Sequence, residues 1–223
     1  MPHAVVAPQR SRKTMTWRRR SACGLAAVLL LTAGGRADGA GMISFERAAV
    51  NVTGMKPQGR VFLFGVVWTD IPRSASRHTT FLSDGDGDGQ ARLEVGNEMP
   101  PIAVWFAVDF EDGGVTIASR GTDVREMPFP WNAIAHGRDA LTFPSERVYL
   151  AVVRPKTGAW IVRAHDGKSL DADGNNDGSV RADLASLSGF GGSPAPPGKL
   201  EPGDVILAID AERLMFTTHQ VGE

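Results

Sequence analysis

Residues 84 to 89 read Asp-Gly-Asp-Gly-Asp-Gly, and residues 173 to 178 read Asp-Gly-Asn-Asn-Asp-Gly. In each, oxygen-bearing side chains stand at the first, third and fifth positions: Asp84, Asp86 and Asp88, then Asp173, Asn175 and Asp177. Alternate positions of a tight loop bring side-chain oxygens together, and a glycine at position six permits the sharp turn. Position seven lends a backbone carbonyl, here from Gln90 and Ser179. Such a set of hard oxygen donors suits a hard divalent cation, calcium first. The alternative for the same residues is a solvated turn, because Asp and Gly are favoured turn formers with or without a metal.

Both loops resemble the front half of EF-hand-type loops and the calcium loops of dockerins and other extracellular repeats. The resemblance implies calcium as a structural ion, not a catalytic one. The back half departs from that pattern. Position twelve, where a bidentate Glu would close the coordination sphere, is Val95 or Leu184, and the acids fall one place earlier at Glu94 and Asp183. On an exit strand Ala91, Leu93 and Val95 face the core, and Arg92 and Glu94 face solvent. At about 3.3 Å per residue, Glu94 would lie roughly 16 Å beyond Gly89. Glu94 and Asp183 are therefore expected to pair with Arg92 and Arg181. Either a further ligand comes from elsewhere, Asp171 being the candidate in the second loop, or the site stays weak.

The elements that must hold these loops read as β. "RVFLFGVVW", "IAVWFAV", "RVYLAVV", "AWIVRA" and "DVILAID" are short runs rich in Val, Ile and aromatic residues, bounded by Gly, Pro and Asp. Long amphipathic helical periodicity is absent. Three pairs of segments then recur in order: RVFL at 60–63 with RVYL at 147–150, residues 84–95 with 173–184, and FAVDFE at 106–111 with LAIDAE at 207–212. The spacing between partners grows because the second copy carries an insertion, "SGFGGSPAPPGKLEPG". The expected fold is all-β, with two immunoglobulin-like β-sandwich modules related by internal duplication, at 41–120 and 147–223. Convergence on a common hairpin pattern is the alternative. Residues 121–146 form a proline-rich connector; its prolines disfavour regular structure throughout, while Phe129, Trp131 and Ile134 disfavour a solvated tether. In pattern the chain is similar to secreted immunoglobulin-like proteins with acidic calcium loops.

Residues 1–37 read as a signal peptide: Arg18, Arg19 and Arg20, a short apolar run, then small residues at Gly35 and Ala37. Met15 is an alternative start, and an uncleaved anchor is the competing reading for a run shorter than the about 20 apolar residues of a spanning helix. Seven of the 24 basic residues precede Asp38 and none of the 25 acidic ones do, so the mature chain carries a net charge of −8. That disfavours nucleic acid and anionic membrane surfaces as partners. The only cysteine, Cys23, leaves with the leader, so no disulfide is expected to hold the mature protein.

No catalytic constellation emerges. His78, His136, His165 and His219 are widely separated without zinc-type spacing. "SLSGFGG" is not a nucleophile elbow, and the Gly/Pro stretch after it lacks a phosphate-loop lysine. Asp109 and Asp210, equivalent in the two repeats, are expected to cap turns. Trp105 and Trp160 lie in apolar strands and belong to the core; Trp131 is the tryptophan expected to meet a ligand. The reading is a non-catalytic protein of the periplasm or extracellular space, with structural calcium and a protein or polysaccharide partner. A carbohydrate-binding module is the alternative. Mass spectrometry of the protein from its native host is expected to show cleavage near Ala37; an intact Met1 or Met15 on a cytosolic chain would overturn the leader.

Overall fold

The computed structural model describes residues 41–70, 74–96, 98–121, 124–127, 134–135, 139–143, 145, 147–162 and 180–222. The expected leader, Trp131 and the second acidic loop (Asp171, Asp173, Asn175, Asp177, Ser179) lie outside them. Among the described residues the protein is all-β, apart from one 3₁₀ turn at Leu184–Ser186.

Among the described residues the strands form four sheets. The first contains β1 (Met42–Phe45), β2 (Ala49–Thr53) and β5 (Gln90–Glu94), in the order β1-β2-β5. The second contains β3 (Arg60–Asp70), β4 (Ser74–Ser83), β6 (Ile102–Asp109) and β7 (Val115–Arg120), in the order β4-β3-β6-β7. The third is formed by β8 (Arg125–Glu126), β11 (Val148–Arg154), β12 (Gly158–Ile161), β14 (Ser188–Phe190), β15 (Val205–Asp210) and β16 (Met215–Gln220), ordered β14-β12-β11-β15-β16-β8. The fourth pairs β9 (Ile134–Ala135), β10 (Ala140–Phe143) and β13 (Val180–Asp183) as β13-β10-β9. Every pairing is antiparallel except the parallel contact of β8 with β16.

The connectivity of the first two sheets recurs in the other two. β1-β2-β5 corresponds to β9-β10-β13, and β4-β3-β6-β7 to β12-β11-β15-β16, with β14 and β8 added at the edges. Residues 121–146, read from the sequence as a connector, supply β8, β9 and β10. The second strand set therefore starts upstream of residue 147, and none of the prolines of this stretch falls inside its short strands. The stretch 188–203, read from the sequence as an insertion, supplies β14. It is pinned by Ala159 N–H donating to Ser193 Oγ (2.9 Å), the Trp160 indole donating to Pro194 O (3.0 Å), and Arg154 gripping the wholly buried Asp204 at 2.8 and 2.9 Å.

Side-chain alternation explains why the central strands are apolar throughout. On β3 and β6, Val61, Leu63, Val67, Ala103, Trp105 and Ala107 turn toward the first sheet and pack with Ile43, Val50 and Val52. Their neighbours Phe62, Phe64, Val66, Val104, Phe106 and Val108 turn the other way, onto Tyr149, Ala151, Val153, Val205, Leu207 and Ile209 of the third sheet. The far face of that sheet, with Leu150, Val152, Ile206 and Ala208, packs on Leu141, Phe143 and Ala182 of the fourth. The stack is thus four layers deep, and the central strands of the two inner sheets, β3, β6, β11 and β15, are buried on both faces. Strands so buried lose hydrophobic alternation. Each fully buried Phe or Leu in this stack contributes about 1.5–3 kcal/mol relative to exposure.

Gly65 opens the space for Trp105. A Cβ placed on Gly65 would overlap the indole on the neighbouring strand. Gly65→Ala is therefore expected to destabilise the protein by about 1–3 kcal/mol through overpacking, measured by denaturant unfolding. An unchanged midpoint would mean that Trp105 can retreat.

Candidate metal centre

The first acidic loop joins β4 to β5 and so crosses from one sheet of the first sandwich to the other. Its neighbour, residues 54–59, crosses in the same way between β2 and β3. Backbone bonds clamp the two crossings together: Asp84 N–H donates to Gly59 O at 3.0 Å, and Met55 N–H to Gly89 O at 3.0 Å. The turns need left-handed backbone. Gly87 and Gly89 have φ of 80° and 76°, and Gln58, with φ of 58°, takes this conformation without being glycine.

Asp84 is the hub. Only 1% exposed, its carboxylate accepts three backbone N–H groups: Gly87 at Oδ1 (2.9 Å), and Gly89 (3.0 Å) and Gln58 (3.1 Å) at Oδ2. Burial by itself would raise its pKa, but the N–H donors from Gly89, Gln58 and Gly87, with the Asp86 side chain, outweigh it and hold Asp84 below the ordinary carboxylate range. Asp86 and Asp88 are exposed. Among the described residues Asp86 Oδ1 accepts Asp88 N–H (3.3 Å), and Asp88 accepts the backbone and side-chain amides of Gln90 at 2.8 and 3.3 Å. A carboxylate offers about four lone-pair sites, so spare acceptor capacity remains, most of it on Asp86.

One oxygen from each of Asp84, Asp86 and Asp88 lies within 4.8 Å of the other two. A cation held at metal–oxygen distances of about 2.3–2.6 Å spaces opposite ligands by about 5 Å, so the group can hold a metal ion. No Lys or Arg pairs with any of the three carboxylates among the described residues. Lys56, in the adjoining turn, instead reaches Asp112 at 2.6 Å and Asp109 at 3.6 Å. Gln90 opens β5 opposite Thr53.

The exit strands behave as the spacing predicts. Ala91, Leu93 and Val95 pack on the core, while Arg92 pairs with Glu94 at 2.6 Å and Arg181 with Asp183 at 3.1 Å. Glu94 therefore does not close the first loop. Asp109 and Asp210, 4% and 1% exposed, do cap turns: Asp109 Oδ1 accepts Glu111 N–H at 2.7 Å, and Asp210 Oδ1 accepts Glu212 and Arg213 N–H at 3.0 and 2.9 Å. Trp105 and Trp160 are buried. Sequence reasoning missed the role of Gln58 and the 54–59 turn, for which the local signal was only a Pro-Gln-Gly turn. A separate concavity of about 340 Å³ is lined by Thr69, Glu98, Met99, Pro100, Pro101 and Arg120.

Comparison of the chain with protein-family models, curated proteins and solved structures gives no match.

The geometry fixes the sign of an acid response. A carboxylate depressed in the fold stabilises it above its unfolded pKa, and that contribution is lost as pH falls through the folded value. Asp84 should therefore sustain stability at neutral pH and lose it only below the ordinary carboxylate range. Asp84→Asn is expected to lower the melting temperature at pH 7 more than Asp88→Asn does, and to flatten the acid limb of a stability–pH profile. Equal effects of the two changes would show that the buried hub has no special role.

Proposed function

We propose that this protein is an exported, non-catalytic structural or interaction protein of the periplasm or extracellular space. In this reading two immunoglobulin-like units, related by duplication, carry acidic loops that calcium stabilises. Support for the duplication comes from the repeated strand orders, which align RVFL with RVYL on β3 and β11, and the two capping aspartates on β6 and β15. Support for the immunoglobulin-like class is the split of seven strands into sheets of three and four; here the fourth strand pairs with the third rather than with the fifth. A partner protein or polysaccharide would meet the outside of this scaffold.

The observation that carries the calcium reading is the uncompensated charge of the loop. One oxygen from each of three carboxylates lies within 4.8 Å of the other two, and no basic side chain among the described residues pairs with them. Folding holds them together, so a cation bound only by the folded state must stabilise it. Outside the cell, where calcium is available, a loop of this kind sustains binding in the sub-millimolar to millimolar range.

At calcium concentrations 100 times the dissociation constant the gain is about 2.7 kcal/mol, a melting shift of a few degrees for a protein this size. Exhaustive chelation is expected to lower the melting temperature, calcium to restore it, and Asp86→Ala to abolish most of that response. Magnesium, which demands a tight octahedron, should substitute poorly. A melting curve that millimolar calcium leaves unmoved would reduce the loop to an ordinary turn.

A further inference from the structure

The two inner sheets meet through the same positions of each strand set. From β3 and β6 the interface takes residues 62, 64 and 66 and residues 104, 106, 108 and 110; from β11 and β15 it takes 149, 151 and 153 and 205, 207, 209 and 211. The repeat alignment of RVFL with RVYL and of FAVDFE with LAIDAE makes these positions equivalent. The polar contacts reciprocate as well. The Trp68 indole donates to Ala211 O at 2.8 Å, and Lys156 N–H donates to Phe110 O at 2.7 Å. Phe110 and Ala211 are repeat partners, and Lys156 is next to Pro155, the repeat partner of Trp68. When patch i meets j and j meets i, the contact is that of an isologous two-fold dimer.

The two faces differ in volume. The first unit contributes Phe64, Phe106 and Phe110 where the second has Ala151, Leu207 and Ala211. Two first units would collide at these positions and two second units would leave voids, each destabilising in a close-packed interior. The face of a first unit fits a second unit and not another first.

From this we infer that the interface is a self-recognition surface whose partner is the complementary unit of any copy of this chain, so that two chains can exchange second units and form a closed dimer with both interfaces intact. The units are joined through residues 121–124, just before β8 docks beside β16. A short connection favours the intramolecular pairing at an effective concentration of order millimolar. Exchange therefore needs refolding at high concentration, and the product is trapped once formed. This inference rests on the duplication proposed above and does not involve the acidic loop.

The test uses chains beginning at Asp38, which contain no native cysteine. One chain carries Gly113→Cys and the other Pro155→Cys, at positions where a Cβ on Gly113 would lie 2.9 Å from the Pro155 ring. The two are unfolded together and refolded with oxidised glutathione, which accepts the two electrons and two protons released as the thiols join. Light scattering is expected to show a dimer whose share rises about tenfold between about 10 and about 100 µM refolding concentration. Its disulfide should link residue 113 of one chain to residue 155 of the other, and mixing the two chains after folding should give none. Because Gly113 has positive φ and its variant can fold poorly, the same refolding is repeated with two differently tagged wild-type chains, expecting one dimer that carries both tags. Absence of dimer at every concentration, or cross-links only between like positions, would overturn the exchange. The calcium response of the melting curve, measured separately, tests the loop.

Discussion

The structure depends on burying both faces of its two central sheets. In a sandwich with one wet face, polar residues can occupy every second position of a strand. Here neither inner sheet has a wet face along its central strands, so Phe62 and Leu63, or Leu207 and Ala208, point in opposite directions and both are wholly buried. Each outer three-stranded sheet covers one side, and the opposite inner sheet covers the other. Residues 41–222 contain no cysteine, so this stacked apolar volume has to do the work that disulfides do in small domains.

The loops at the ends of such a stack have a specific task. Each unit must carry the chain from one sheet to the other, and each crossing leaves backbone N–H groups that no ladder satisfies. Asp84 answers three of them, from two different crossings, with a single carboxylate. Its charge is thereby stabilised by oriented dipoles, while Asp86 and Asp88 crowd negative charge onto the solvent side of the same turn. The loop is a well-satisfied turn at its base and an unneutralised acidic group at its rim. A bare-turn reading accounts for the base. At the rim no Lys or Arg among the described residues pairs with the carboxylates, which lie close enough together to hold a metal ion.

Much of this was legible in the sequence, and what was not has identifiable causes. Strand existence, the solvent-facing pairs Arg92–Glu94 and Arg181–Asp183, and the capping by Asp109 and Asp210 followed from period-two alternation and from turn chemistry. The unbroken apolar runs also contained the double burial, but a run of that kind specifies only that both faces are covered, not what covers them. The strands within 121–146 were hidden because they are two to four residues long and take their pairing from distant partners, β10 from β13 and β8 from β16. Gln58 could not be singled out, because its contact with Asp84 joins residues 26 positions apart.

The second strand set departs from the strand order of the first at its edges. β12 is covered along its outer edge by β14, a strand that exists only because of the insertion, whereas its counterpart β4 has no strand on its outer side among the described residues. The insertion does not stop at that edge. Phe190 at the end of β14 reaches across to Phe62 and Phe81 of the first unit, with ring centroids 6.0 Å away in both cases, and a Cβ on Gly191 would strike the Phe81 ring. Arg60 lies over Phe81 and Phe110 at 4.5 and 5.0 Å, extending the same aromatic group toward the acidic end of the first sandwich. Edge protection and inter-unit contact are thus served by the same few residues. Gly191, with φ of 61°, is the position where the insertion must turn while pressed against an aromatic ring, and a residue without a Cβ satisfies both demands. A stretch that looks in sequence like a surface loop is therefore part of what joins the two strand sets.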